Sequence, residues 1–171
     1  VGAGPIGLLT LAALRLTGVK HIIVSDTSDA RLEVARRMGA TVTVNPKNEN
    51  VKEVVLQHTD GGVDVSFEAV GASPTAQQTL DVTRNKGTVI WIGNSAKIIE
   101  IDMQAVVTRE LRVMGSYGMS SKEFHRVLDM LASGDIPTGL LINRRAVLND
   151  GPALFEELLE EPETIKCIIN F

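Results

Sequence analysis

The hexapeptide Gly2-Ala3-Gly4-Pro5-Ile6-Gly7 spaces its glycines as a turn does when it passes a strand into a helix around a phosphate. In such a turn the first glycine bends tightly, the second lets backbone approach a pyrophosphate, and the third allows close packing of helix on strand. Pro5 suits the first helical position, where its missing N–H is no loss, and the N–H groups of Ile6 and Gly7 stay free to face an anion. The helix dipole adds about 0.3–2 kcal/mol for a phosphate held there. The same hexapeptide also describes a glycine-rich turn with no ligand. Asp26 follows nineteen residues after Gly7, at the end of a β-branched run, where an acid reaches the adenosine ribose of a dinucleotide. A carboxylate accepting from ribose hydroxyls contributes about 1.5–3 kcal/mol and repels a 2′-phosphate, which favours NAD over NADP. The alternative for Asp26 is a helix cap, although Ser28 and Asp29 already supply capping groups.

Other residues with chemical potential resolve to plainer roles. Cys167 stands alone in an apolar terminal run and reads as a small buried hydrophobe; it excludes an internal disulfide. His21, His58 and His125 are scattered singly, so neither a catalytic constellation nor a metal site is expected in this chain. Glu156, Glu157, Glu160, Glu161 and Glu163 read as a solvated face. Tyr117 and Lys122 are five apart, not the four that short-chain dehydrogenases use. Oxidising an alcohol by hydride transfer needs a metal or a general base to handle the hydroxyl proton, and the sequence shows neither.

The elements that must position the turn follow from period and punctuation. Helices are expected over 5–17, 29–38, 50–58, 73–82, 103–109 and 120–134, with strands over 21–25, 41–44, 63–70, 88–92, 98–101 and 111–116. Ser28, Ser73 and Ser120 are the expected caps, the last in a capping box with Glu123; Asn50 with Glu53 resembles another. Strands alternating with helices imply an α/β fold, the Rossmann doubly wound parallel sheet. The glycines arrive with Val1 alone where a strand should end, so the sheet reads as truncated at or within its first strand. In strand order 3-2-1-4-5-6 that strand is central, and a sheet without it has two inner edges. After Pro137 come a strand over 140–148, a helix over 152–160 capped by Asp150, and an apolar 165–171, too short for an independent core. A chain of 171 residues with 44% hydrophobic and 22% charged residues is an ordinary globular domain. A net charge of −4 gives no footprint for nucleic acid or anionic membrane, and one cysteine suggests a reducing, cytoplasmic setting.

Several segments in order carry a family resemblance: Gly2–Gly7, Asp26, Asp64-Val65-Ser66-Phe67-Glu68-Ala69-Val70-Gly71, Gly87-Thr88-Val89-Ile90-Trp91-Ile92-Gly93 and Val113-Met114-Gly115-Ser116. Together they resemble the medium-chain dehydrogenase/reductase family, and within it the zinc-dependent polyol, threonine and alcohol dehydrogenases. The resemblance implies an NAD-binding domain over 1–136 and, over 137–171, the return segment of a catalytic domain otherwise missing. It implies that Arg31 contacts the adenosine ribose, that Val70 and Ala72 wall the adenine, and that Ile92, Gly93, Ser116 and Gly118 fix the nicotinamide through backbone. The plain alternatives are a solvated helix face for Arg31 and strand-end turns for the others. It implies self-association through an edge strand over 97–102, unless the chain's own residues cover that edge. It further implies a zinc held only in the missing domain, so that this chain binds coenzyme without catalysing. A non-catalytic nucleotide-sensing module and a methyltransferase remain the other readings.

Overall fold

The computed structural model describes residues 1–160 and 164–171. Glu161 and Glu163 of the acidic run lie outside them. Helix α1 (Pro5–Leu16) starts from Gly4 with Pro5 at its first position and buries Leu8, Leu11 and Ala12. Strand β1 (Ile23–Ser25) leads through Ser28, whose hydroxyl accepts from the Arg31 N–H, into α2 (Asp29–Arg37). Strand β2 (Val42–Val44) pairs parallel with β1, and α3 (Val51–His58) follows, capped by Asn50. The Asn50 side chain accepts from the Lys52 and Glu53 N–H groups.

The second unit alternates β3 (Val63–Glu68), α4 (Ser73–Val82), β4 (Thr83–Trp91), α5 (Met103–Thr108) and β5 (Arg112–Gly115). Its strands are parallel in the order β3-β4-β5. Helix α6 (Ser121–Ala132) carries the complete capping box, and the Ser120 backbone N–H holds the Glu123 carboxyl below its ordinary pKa. The chain ends in α7 (Thr138–Leu141), β6 (Ile142–Val147), α8 (Gly151–Glu160) and β7 (Lys166–Asn170), with β6 and β7 parallel.

Apolar side chains cover both faces of the β1-β2 pair, as expected for parallel strands. Val24 packs with Leu8, Leu11, Leu32 and Ala35, and Ile136 together with Leu141 and Ile165 from the tail joins the same cluster. Ile23, the next residue along β1, faces the opposite way, towards Val44, Val51 and Val55. Leu80, Val89 and Leu111 form a third cluster under α4 and α5. The architecture is the α/β Rossmann fold. No helix among the described residues is long and apolar enough to cross a membrane.

The β1-β2 pair and the β3-β4-β5 triplet are separate sheets, as the inner-edge argument requires. Val1 and Gly2 join them through three hydrogen bonds. The Gly2 N–H donates to the Ser25 carbonyl, the Val1 carbonyl accepts from the Ala69 N–H, and the Val1 amino group donates to the Phe67 carbonyl. Below this bridge a cavity of about 790 Å³ separates the two sheets, lined by Leu11, Val24, Val55, Val65 and Phe67 among others.

Four local expectations change. No strand forms over 98–101, because the Glu100 and Asp102 N–H groups donate to the Ser73 hydroxyl and the Gln77 carbonyl of α4 instead of a neighbouring strand. Ser73 is accordingly the first residue of α4, not its cap; Ala72 takes that place without a side-chain hydrogen bond. Strand β4 begins five residues early, through a stretch in which Lys86 has φ of 61°. The strand expected over 140–148 opens with the short helix α7.

Candidate functional site

Because β1, β3, β4 and β5 are parallel within their sheets, the segments following them are all carboxyl-end turns, the side on which open α/β sheets bind ligands. The glycine turn opens this site. Gly2 has φ of 90°, in the region that favours glycine, and the N–H groups of Ile6 and Gly7 have no partner within the helix, as in any first turn. A Cβ on Gly4 would meet nothing within 4 Å, so the backbone there is open to a close-approaching group. A Cβ on Gly7 would lie 1.9 Å from the Gly2 carbonyl oxygen, so the third glycine is required by the turn itself.

Asp26 faces this turn. One carboxylate oxygen accepts from the Ala3 N–H at 2.7 Å and the other from the Ser28 N–H at 2.9 Å. The helix-cap alternative is therefore partly right: the carboxylate organises two turns. It stays only partly buried, and each oxygen keeps a lone pair for another donor. Arg31, one turn into α2, is neither a fully solvated residue nor an ion-paired one. Its Nε is buried and has no hydrogen-bond partner among the described residues, which calls for an acceptor.

Val70 sits over the glycine turn, where its Cγ2 lies 2.7 Å from the position of a Cβ on Gly2; Ala72 is half-buried at the start of α4. Ile92 and Gly93 follow β4, but both N–H groups donate to the Glu68 carbonyl, at 2.8 and 3.0 Å. The Ser116 N–H likewise donates to the Trp91 carbonyl. Any ligand at these three residues would meet carbonyls and not amides. Gly118, with φ of 68°, lies in an exposed segment beyond β5. The structure thus gathers Gly2 to Gly7, Asp26 and Val70 closely, and leaves Ser116 and Gly118 at the open end.

Sequence reasoning passed over Glu68. It is 1% exposed, and its carboxylate accepts from the Val70 N–H at 2.9 Å and from the Gly71 N–H at 2.8 and 2.9 Å. The signal was legible: an acid ending an apolar strand just before a glycine, as Asp26 ends the run before Ser28. The large cavity between β1 and β3 is not this site. It reaches the inner side of the glycine turn at Gly2 and Gly7 but runs from there between the strands to His58 and Arg84, away from Asp26, Val70 and Gly93.

Zinc chemistry does not fit this donor set, since the described residues contain no group of three His, Cys, Asp or Glu side chains able to hold a metal ion. Cys167 is half-buried in β7 and belongs to no such group among the described residues.

Known proteins share this chain's sequence pattern and fold. The chain is 33% identical over 173 residues to D-arabitol-phosphate dehydrogenase of Enterococcus avium, an alignment covering 99% of this chain and 49% of that protein. It superposes on 2R,3R-butanediol dehydrogenase of Bacillus subtilis with a TM-score of 0.89 and 30% identity, over 99% of this chain and 49% of the other. A zinc-binding dehydrogenase of Sinorhizobium meliloti, solved bound to NADP, matches with a TM-score of 0.82 and 34% identity over 90% of this chain and 46% of that one. The chain spans about half the length of the relatives it matches. The family model described as zinc-binding dehydrogenase matches residues 5–133, and the chain belongs to that family.

Proposed function

We propose that this chain binds a nicotinamide dinucleotide, NAD in preference to NADP, and serves as the coenzyme half of an alcohol or polyol dehydrogenase. The observation that carries this reading is the Asp26 carboxylate, held at the mouth of the glycine turn by the Ala3 N–H at 2.7 Å while remaining part-exposed. The buried, unpartnered Arg31 Nε on α2, the helix that follows Asp26, is a further donor suited to an oxygen-rich ligand. The glycine turn would take the pyrophosphate on the Ile6 and Gly7 N–H groups, and Asp26 would accept from the ribose hydroxyls. Val70 and Ala72 would wall the adenine, with carbonyls near Ile92, Gly93, Ser116 and Gly118 left for the carboxamide. The coenzyme supplies a hydride acceptor; this chain's residues bind and orient it.

The proton of the alcohol is handled elsewhere, by a zinc and substrate residues outside this chain. Support comes from the match to the zinc-binding dehydrogenase family and from the chain spanning about half of its relatives' length. On this reading residues 1–136 form the coenzyme domain and 137–171 return to the catalytic domain, in a cytoplasmic enzyme. Self-association through 97–102 belongs to the same reading, with Ile98, 82% exposed, as its contact residue although the segment is not a strand.

Calorimetric titration with NADH and NADPH tests the core of the proposal. Asp26→Ser should weaken NADH binding about tenfold to a hundredfold, the equivalent of one charged hydrogen bond, and narrow the preference over NADPH. Unchanged NADH affinity in that variant would sink the assignment of Asp26.

A further inference from the structure

We infer that Glu68 is a positioning residue for coenzyme binding, one whose buried carboxylate sets the orientation of the Val70–Gly71 peptide and thereby the spacing between the turns after β3 and β4. The inference rests on the coenzyme reading above. Its starting point is a carboxylate in a place where an apolar side chain would fill space at lower cost in desolvation. Both oxygens turn back onto the chain: Oε1 accepts from the Val70 and Gly71 N–H groups, and Oε2 from the Gly71 N–H.

A peptide group is planar and trans, so its N–H and C=O point in opposite directions. Drawing the Gly71 N–H towards Glu68 therefore turns the Val70 carbonyl away from it, and that carbonyl accepts from the Ser95 hydroxyl at 2.6 Å. The Gly71 carbonyl accepts from the Ala96 N–H at 2.9 Å. The Glu68 main chain adds the reverse stitch, its carbonyl accepting from the Ile92 and Gly93 N–H groups. The turns are close enough that a Cβ on Gly93 would lie 2.2 Å from the Gly71 nitrogen and 2.4 Å from Glu68 Oε2. The third element is Val70, whose Cγ2 rests where a Cβ on Gly2 would come. One carboxylate thus determines how three turns of the candidate site meet.

Trp91, the one tryptophan in the chain, directly precedes Ile92, so quenching of its emission by NADH reads occupancy. Glu68→Gln keeps one acceptor oxygen but sets an NH2 donor against the Gly71 N–H where Oε2 now accepts, which turns the Val70–Gly71 peptide, and should bind NADH at least tenfold more weakly per folded molecule than the wild-type chain. Ser66→Ala is the control for a purely structural loss. It removes a buried hydroxyl from β3 that donates to the Thr79 carbonyl and accepts from Thr83, away from all three turns. It should lower the melting temperature and leave the NADH dissociation constant within twofold. If Glu68→Gln does not fold, Ser95→Ala, at an exposed position, should weaken binding about threefold through the same stitch. Unchanged affinity in folded Glu68→Gln, or in Ser95→Ala where the first variant is unfolded, overturns the role of Glu68. A wild-type chain that neither quenches nor titrates with NADH instead overturns the coenzyme reading itself.

Discussion

Asp26 directly follows β1 and Glu68 ends β3, and each turns its carboxylate onto backbone N–H groups of the segments around it: Ala3 and Ser28 in the first case, Val70 and Gly71 in the second. The chemistry is the same and the burial is not. Asp26 is half-buried; Glu68 is 1% exposed. An acid that retains access to solvent can organise a turn and still offer lone pairs to a ligand. An acid sealed beneath the turn can only shape what the ligand meets. Family resemblance implies a coenzyme contact for the first kind; the second kind shows its role through the N–H groups it holds.

Removing each carboxylate should separate the two roles by energy. Glu68→Ala leaves the Val70 and Gly71 N–H groups without their acceptor, at about 1–3 kcal/mol for each buried donor, so a loss of about 4 kcal/mol in urea unfolding is expected. Asp26→Ala frees the N–H of fully buried Ala3 and that of part-exposed Ser28, which water can reach, and should cost about 2 kcal/mol. Equal losses would break the distinction between a shaping and a contacting acid.

When the polypeptide starts at Val1, its free amino group feels the charge of both acids. Burial pushes its pKa down from 8.0 to about 6, against the attraction of Glu68 and, more weakly, Asp26. Between about pH 6 and 8 the unfolded chain holds this proton and the folded chain does not, so protons favour unfolding and stability rises with pH across that window. Val1 as a whole is only part-buried, which keeps the gain at or below about 3 kcal/mol. Acetylating Val1, or joining it by a peptide bond to a preceding residue, should abolish the slope, because the same nitrogen then donates to Phe67 as a neutral amide. With the amine free, Glu68→Gln should lower its pKa further than Asp26→Asn does. The reverse order, read from pH-dependent unfolding, would place the stronger field at the exposed acid.

Much of this was legible in the sequence, for local reasons. The glycine spacing with Pro5, the Ser28 cap and the Ser120–Glu123 box are decided within a few residues, and the structure shows each as read. Residues 98–101 misled because β-branched apolar residues favour a strand only where a strand lies alongside; here side chains of α4 captured the N–H groups. Ser73 misled for the same reason, its hydroxyl being engaged by Glu100. The role of Glu68 depends on Gly93 and Ser95, more than twenty residues away, and no local pattern encodes that meeting.

The helices that follow the two acids differ in a way that a small effect can probe. Helix α2 is capped by the Ser28 side chain, whereas α4 begins from Ala72, whose φ of −136° and ψ of 155° suit a cap but whose side chain supplies no acceptor. Ser28→Ala should therefore cost about 1 kcal/mol, and Ala72→Ser should gain somewhat less, because the Ser73 hydroxyl that could compete for α4 amides is held by Glu100. Thermal unfolding of the two single variants and the double variant measures this. The sites share no hydrogen-bond partner, so their effects should add. A gain at Ala72 together with weaker NADH binding would mean that the turn after β3 is left uncapped to keep its geometry for the coenzyme, which extends the contrast between the two acids to the helices they precede.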